Sequence, residues 1–138
     1  MQPLAFQLQQ SKRFDADPAV IRRLAQQEWP VLEPGLDELI RSNAGRQRFT
    51  DARADLSGCD VVYVALDVPT DDQGASDVSG LTALIGDVAA TMRPDAIMVV
   101  LSQVPPGYTR ALGVLPPQRL YYQVETLVFG QAVERATK

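Results

Sequence analysis

The sequence predicts an α/β fold, an incomplete Rossmann-like parallel sheet with flanking helices, and three stretches carry that expectation. Val61-Val62-Tyr63-Val64-Ala65-Leu66 is an apolar run that stops in the polar loop Asp67-Val68-Pro69-Thr70-Asp71-Asp72-Gln73-Gly74, as a buried parallel strand does where it delivers a loop to a ligand. From Val78 the apolar residues recur at Leu81, Leu84, Ile85, Val88, Ala89 and Met92, the three-and-four spacing of one helical face, with Asp77 placed to cap it. After Arg93-Pro94-Asp95 a second apolar run, Ala96 to Leu101, completes a strand, helix, strand unit. Chirality and burial turn such a unit into a right-handed parallel crossover. Both strands then end on one carboxyl edge, where open α/β sheets hold their ligands.

Composition bounds the function. The chain has 138 residues, enough for one domain at most. A net charge of -4 and the absence of histidine argue against the basic footprint that nucleic acids require. A single cysteine, Cys59, excludes an internal disulfide framework and a thiolate-rich metal site, so no metal is expected. No apolar run approaches the roughly 20 residues that cross a bilayer. The first ten residues have neither the charged start nor the apolar core of a signal peptide. A cytoplasmic protein with no nucleic-acid or membrane partner is expected.

Taken in order, Met1 to Arg13 is Gln-rich without a period, which predicts a tail or a poorly paired segment before a domain over residues 14–138. In Phe14-Asp15-Ala16-Asp17-Pro18, Asp17 can cap a helix with Pro18 at its first position and Ile21, Leu24 and Ala25 inside. Asp15 then falls just past a strand end. Loop carboxylates are common there, and the same position in dinucleotide-binding folds accepts hydrogen bonds from a ribose diol. Trp29-Pro30 breaks the helix, with Trp29 a packing residue. A short amphipathic helix runs from Leu36 through Leu39 and Ile40 to the region of Asn43 and Gly45. Arg48-Phe49-Thr50 suits a short strand, Asp51 to Ser57 a helical turn, and Cys59 a small buried thiol at the entry to the next strand.

Beyond the second apolar run, Ser102-Gln103-Val104-Pro105-Pro106-Gly107-Tyr108-Thr109-Arg110 forms a loop leading into a short helix. It is either a plain turn or a loop that presents Gln103 and backbone N–H groups to a ligand. Leu120-Tyr121-Tyr122 reads as a last short strand. Glu125 lies among apolar neighbours and is either a solvated loop glutamate or a buried carboxylate with a shifted pKa.

In order and spacing, five blocks resemble the amino-terminal NAD-binding domain of the UDP-glucose and GDP-mannose dehydrogenase family. Asp15-Ala16-Asp17 is similar to the acidic turn after the second strand of that domain, and Glu33-Pro34-Gly35-Leu36 to its Glu-Pro-Gly-Leu segment. Val68-Pro69-Thr70 with the later Asp77 resembles its Thr-Pro-Thr loop, and Ser102 to Gly107 its Ser-Thr-Val-Pro-x-Gly turn. Glu125 through Gly130-Gln131-Ala132 resembles the Pro-Glu-Phe-Leu-Arg-Glu-Gly-x-Ala segment.

The resemblance implies an NAD-dependent oxidation of a nucleotide-sugar C6 alcohol to a carboxylate through a cysteine-bound intermediate. It implies that Asp15 holds the adenosine ribose and that Val68, Pro69, Thr70 and Gln103 line the cofactor. It also implies that Glu125, Thr126, Leu127, Val128 and Phe129 approach the nucleotide-sugar substrate. An acidic residue at the ribose would repel a 2'-phosphate and select NAD.

The departures from the family pattern are specific. A Gly-x-Gly-x-x-Gly turn belongs about 20 residues before the acidic residue, but only 14 residues precede Asp15 and the first glycine is Gly35. The first strand and phosphate loop are therefore missing. Val68 and Gln103 stand where the family has threonine, and Phe129 where it has its second glutamate. No residue in this chain matches the catalytic cysteine and its partners, and Cys59 differs in context. The expectation is part of a nucleotide-sugar dehydrogenase that is inactive alone, with an exposed sheet edge prone to self-association. The alternatives are a small non-enzymatic α/β module for a nucleotide or partner, or a ligand-free remnant.

Overall fold

The computed structural model describes residues 10–137, with side chains through residue 136. The described residues fall into two compact units, one drawn from Met1–Ala52 and Leu127–Lys138, the other Arg53–Thr126. Each contains its own parallel sheet, of two strands in the first and three in the second, in keeping with the incomplete Rossmann-like α/β fold expected.

In the first unit, β1 (Ser11–Phe14) pairs in parallel with β2 (Gln47–Thr50), from Ser11 opposite Gln47 to Phe14 opposite Thr50. Pairing runs past the strand end, because the Asp15 amide donates to the Thr50 carbonyl at 3.2 Å. Ser11, Lys12 and Arg13 are thus in full register rather than a tail, while Met1 to Gln9 lie outside the described residues.

Helix α1 (Pro18–Ala25) starts as its sequence dictates, with Pro18 in the first turn and the Asp17 carboxylate accepting from the Ala19 amide at 2.8 Å. It buries Leu24 and half-buries Ile21, but Ala25 is exposed, against expectation. The helix also stops before the Trp29-Pro30 break. Gln27 adopts φ 62, the Gln27 amide donates to the Leu24 carbonyl and the Glu28 amide to the Arg23 carbonyl. This is a left-handed C-terminal cap built on glutamine instead of glycine. Trp29 then packs on Phe49 of β2, ring centroids 6.0 Å apart and planes tilted by 48°. Helix α2 (Leu36–Ser42) begins after Gly35, whose φ of 79 favours glycine.

The second unit opens with a 3-10 turn (Arg53–Gly58) that buries Leu56 and leads through half-buried Cys59 into β3 (Val61–Val64). Then follow α3 (Ser79–Thr91), β4 (Ile97–Val100), α4 (Tyr108–Ala111) and β5 (Leu120–Tyr122). The sheet order is β3-β4-β5 and every pair is parallel, which confirms the strand, helix, strand crossover. Val62, Val64, Met98 and Val100 line one sheet face and are all buried; with Leu81, Ile85, Val88 and Met92 they make the core. β3 ends at Val64, two residues before the apolar run does. Its last rung is the Leu101 amide on the Val64 carbonyl at 2.8 Å, so Ala65 and Leu66 have no β4 residue to pair with and are exposed.

Arginines close the amino end of this sheet. The Arg119 guanidinium donates to the carbonyls of Ala96 and Arg93 at 2.8 and 2.7 Å. Arg93 in turn reaches Asp60 at 2.8 Å and Asp95 at 2.6 Å. With that end tied by ion pairs and main-chain contacts, the carboxyl end is left to the loops that carry the candidate residues. Among the described residues no helix is long and apolar enough to cross a membrane.

Candidate cofactor site

In the first unit Asp15 stands immediately after β1, half-buried, where the strand delivers it. One carboxylate oxygen accepts from the Asp17 amide at 2.9 Å, which fixes the turn between strand and helix. Among the described residues the other oxygen has no partner. Held by its own turn, the carboxylate presents acceptor capacity at a strand end without a rotamer search, the arrangement that suits a diol.

In the second unit the expected cofactor residues leave β3 and β4 on the same edge, since Val64 lies opposite Val100. Val68 is half-buried, while Pro69, Thr70 and Gln103 are exposed. The Val68-Pro69-Thr70 loop is held by its own polar groups. The Pro69 carbonyl accepts from the Asp77 amide at 2.8 Å, and the Thr70 and Ser76 hydroxyls are 3.2 Å apart. Asp71 accepts from the amides of Gln73 and Ala75 at 2.9 and 2.8 Å. Around this turn, Pro69, Thr70, Asp71, Ala75, Ser76 and Asp77 enclose a shallow concavity of about 360 Å³.

Asp77 caps α3 as expected, one residue further out than the helix start. It accepts from the Ser79 hydroxyl at 2.6 Å and the Ser79 amide at 3.0 Å. The Ser79 hydroxyl first, and then its amide, hold the Asp77 carboxyl below the usual carboxylate range.

Ser102 is the residue that sequence reasoning passed over in favour of its neighbour Gln103. It is 5% exposed, and its hydroxyl has no hydrogen-bond partner among the described residues. A buried hydroxyl left unpaired costs about 1–3 kcal/mol. It lies just past the carboxyl end of β4, shielded from solvent. The only signal in the sequence was its place in the first turn after an apolar strand.

Glu125 and Thr126 are exposed in the second unit, and Leu127, Val128 and Phe129 in the first, Phe129 with 85% of its surface open. Glu125 is therefore not the buried carboxylate that its apolar neighbours allowed. A separate cleft of about 380 Å³ in the first unit, lined by Trp29, Phe49, Leu24, Ile40 and Arg13 among others, contains none of the expected site residues.

In the first unit Asp15 offers an acceptor of the kind a ribose diol needs. In the second unit Gln103 is exposed just past β4. The starts of the two longest described helices are closed to a pyrophosphate. A helix start binds phosphate through open N–H groups, but α1 begins under the Asp17 carboxylate and α3 under Asp77.

Parallel pairings, a strand, helix, strand crossover and an acidic residue at a strand end define a Rossmann-like domain of the dinucleotide-binding class. Residues 7–119 match the UDP-glucose/GDP-mannose dehydrogenase family, NAD binding domain. The chain belongs to that family, and it represents part of the family's NAD-binding domain. It is 33% identical over 101 residues to a UDP-glucose 6-dehydrogenase of Pseudomonas aeruginosa, covering 71% of this chain and 22% of that protein. To a UDP-glucose 6-dehydrogenase of Rhizobium meliloti it is 35% identical over 97 residues, covering 67% and 22%.

Among solved structures, a UDP-D-ManNAc dehydrogenase from Pyrococcus horikoshii superposes with a TM-score of 0.81 at 22% identity, covering 92% of this chain and 33% of that one. A UDP-glucose dehydrogenase from Pyrobaculum islandicum gives 0.75 at 26% identity, covering 92% and 33%. The chain thus spans about a fifth of the length of the curated relatives it matches. The Glu125 to Phe129 segment lies beyond the residues that the family match covers.

Proposed function

We propose that this chain carries the adenosine side of the NAD site of a UDP-glucose 6-dehydrogenase-like enzyme, which oxidises the sugar C6 alcohol to a carboxylate, and that it does not turn over by itself. The observation that carries the reading is the Asp15 carboxylate, fixed at the end of β1 with one oxygen open. NAD, when bound, supplies the hydride acceptor. Asp15 accepts from the two ribose hydroxyls and repels a 2'-phosphate, while Pro69, Thr70 and Gln103 border the cofactor. Glu125 to Phe129 contribute to the nucleotide-sugar side of the whole enzyme. A cytoplasmic location and self-association through an open sheet edge complete the proposal.

The test is a thermal-shift titration of the purified chain with adenosine, NAD+ and NADP+ at millimolar concentrations, since a ligand that binds the native state raises its Tm. Adenosine and NAD+ should stabilise about equally, because the ribose contact at Asp15 carries the binding, and NADP+ less. Asp15→Asn, whose amide oxygen still accepts from the Asp17 amide, should abolish the effect. NAD+ acting far below the adenosine concentration would overturn the half-site reading. No shift with any of the three would favour a remnant without a nucleotide ligand.

A further inference from the structure

The loop that leaves β4 is tied down at each end. At its start the Leu101 amide bonds the Val64 carbonyl at 2.8 Å, the last rung between β3 and β4. At its far end the Tyr108 hydroxyl lies 2.8 Å from the hydroxyl of Thr82 on α3, 26 residues earlier in the chain. Among the described residues this is the one hydrogen bond that ties any of residues 102–111 to another element.

The direction of that bond follows from what Thr82 does with its hydrogen. The Thr82 hydroxyl donates to the Val78 carbonyl at 2.9 Å, which leaves it lone pairs alone for Tyr108, so the phenol donates. The same Val78 carbonyl takes the Thr82 amide at 2.9 Å. Tyr108 therefore donates to a hydroxyl whose rotation is already fixed in the first turn of α3. Just ahead of that turn the Asp77 amide bonds the Pro69 carbonyl at 2.8 Å. One helix start thus supports both the loop after β3 and the loop after β4.

Between its two ties the loop is stiff in one half. Pro105 and Pro106 have fixed φ angles, the Tyr108 amide closes a turn onto the Pro105 carbonyl at 3.2 Å, and Gly107 makes the left-handed bend at φ 85. Residues 105–108 follow the Tyr108 ring as one piece, and Ser102, Gln103 and Val104 bridge from that piece to β4. Helix α4 has four residues, too few to hold its place through its own hydrogen bonds.

We propose that Tyr108 is a positioning residue: through Thr82 it fixes the 102–107 loop, and with it Gln103, on the carboxyl edge of the second unit's sheet. What this means for a cofactor rests on the nucleotide reading above, whereas the tie itself does not. Thr82 is exposed and Tyr108 half-buried, so losing either hydroxyl should act on the loop and spare the core.

NMR relaxation of the purified chain tests the tie. The backbone amides of Gln103, Val104 and Gly107 should have order parameters of about 0.85 in the parent and below about 0.6 in Tyr108→Phe and in Thr82→Val. Thr82→Ser keeps the hydroxyl and should restore the parent values. The double variant should be no looser than either single one, because both remove the same bond. Exchange of the Ala111 amide, which bonds the Gly107 carbonyl, should quicken about three- to tenfold, the worth of one hydrogen bond. Millimolar NAD+ should shift the Gln103 side-chain amide signal in the parent and much less in Tyr108→Phe. Equal order in the parent and both single variants would overturn the positioning role. So would a double variant looser than either single one, or an equal NAD+ shift in the parent and Tyr108→Phe. A Gln103 signal indifferent to NAD+ in the parent, with the loop loosened in both variants, would instead overturn the nucleotide reading of this loop and leave the tie established.

Discussion

The Ala132 amide donates a 2.6 Å hydrogen bond to the Glu33 carboxylate, joining positions 99 residues apart within the first unit. The other oxygen of the same carboxylate accepts from the Gly130 amide at 2.8 Å. Ala132 opens α5 (Ala132–Thr137), so Glu33 places its charge at that helix's positive end and satisfies amides left open there. Two of the blocks that resemble the dehydrogenase family, one around Glu33 and one around Gly130, thus meet through a single side chain.

Replacing that carboxylate should loosen the attachment of α5. Glu33→Ala removes both acceptors and is expected to cost about 1–2 kcal/mol, the range of a lost helix cap. Glu33→Gln keeps one acceptor oxygen and should cost less. Urea unfolding with equal m-values would measure the difference. Faster amide exchange at Gly130 and Ala132 in Glu33→Ala would locate it.

A second prediction concerns the core of the crossover. Ile85 has no exposed surface and lies in the same core as Met98 and Val100, which are likewise closed to solvent. Ile85→Ala should cost about 2–5 kcal/mol through lost burial and the cavity left behind, and Ile85→Val about 1 kcal/mol. Gly86, one residue on, has open space within 4 Å of the position that an added methyl group would take, so Gly86→Ala should be neutral or slightly stabilising through helix propensity. Urea denaturation of the three variants should rank them in that order.

Acid should weaken the second unit for identifiable reasons. The Arg93 hydrogen bond holds the Asp95 carboxyl below its usual range, as the Ser79 hydroxyl does for Asp77. A carboxylate whose pKa is depressed by folding stabilises the fold above its unfolded value and loses that contribution as pH falls through the folded value. Stability should therefore hold down to the ordinary carboxylate value of 3.8 and decline below it. Both groups are exposed, so added salt should shrink the Asp95 part of the decline. Unfolding midpoints from neutral pH to pH 2, for the parent, Asp95→Asn and Asp77→Asn, should show a flatter acid limb in each variant.

The crossover was legible because its signals are local. Leu81, Ile85, Val88 and Met92 repeat at helical spacing, Val62 and Val64 alternate with Val61 and Tyr63, and Asp17-Pro18 is a helix start in two residues. The strand and helix limits were less legible. β3 stops at Val64 because β4 offers nothing further to pair with, and α1 stops on a left-handed Gln27 rather than at Trp29-Pro30. Of the site, Asp15 and the loops after β3 and β4 could be read from the chain, whereas Ser102 could not, since an unpaired hydroxyl is a property of its surroundings.

By itself the sequence determined the element types, the parallel crossover, the acidic residue at the end of β1 and the dehydrogenase family. These rest on periodicity, capping chemistry and ordered motifs, all written within a few residues of one another. Only the tertiary structure decided how the described strands pair into sheets of two and three, and that Glu33 holds the start of α5. Each depends on which distant backbone groups find hydrogen-bond partners, and sequence spacing carries no record of partners nearly a hundred residues away.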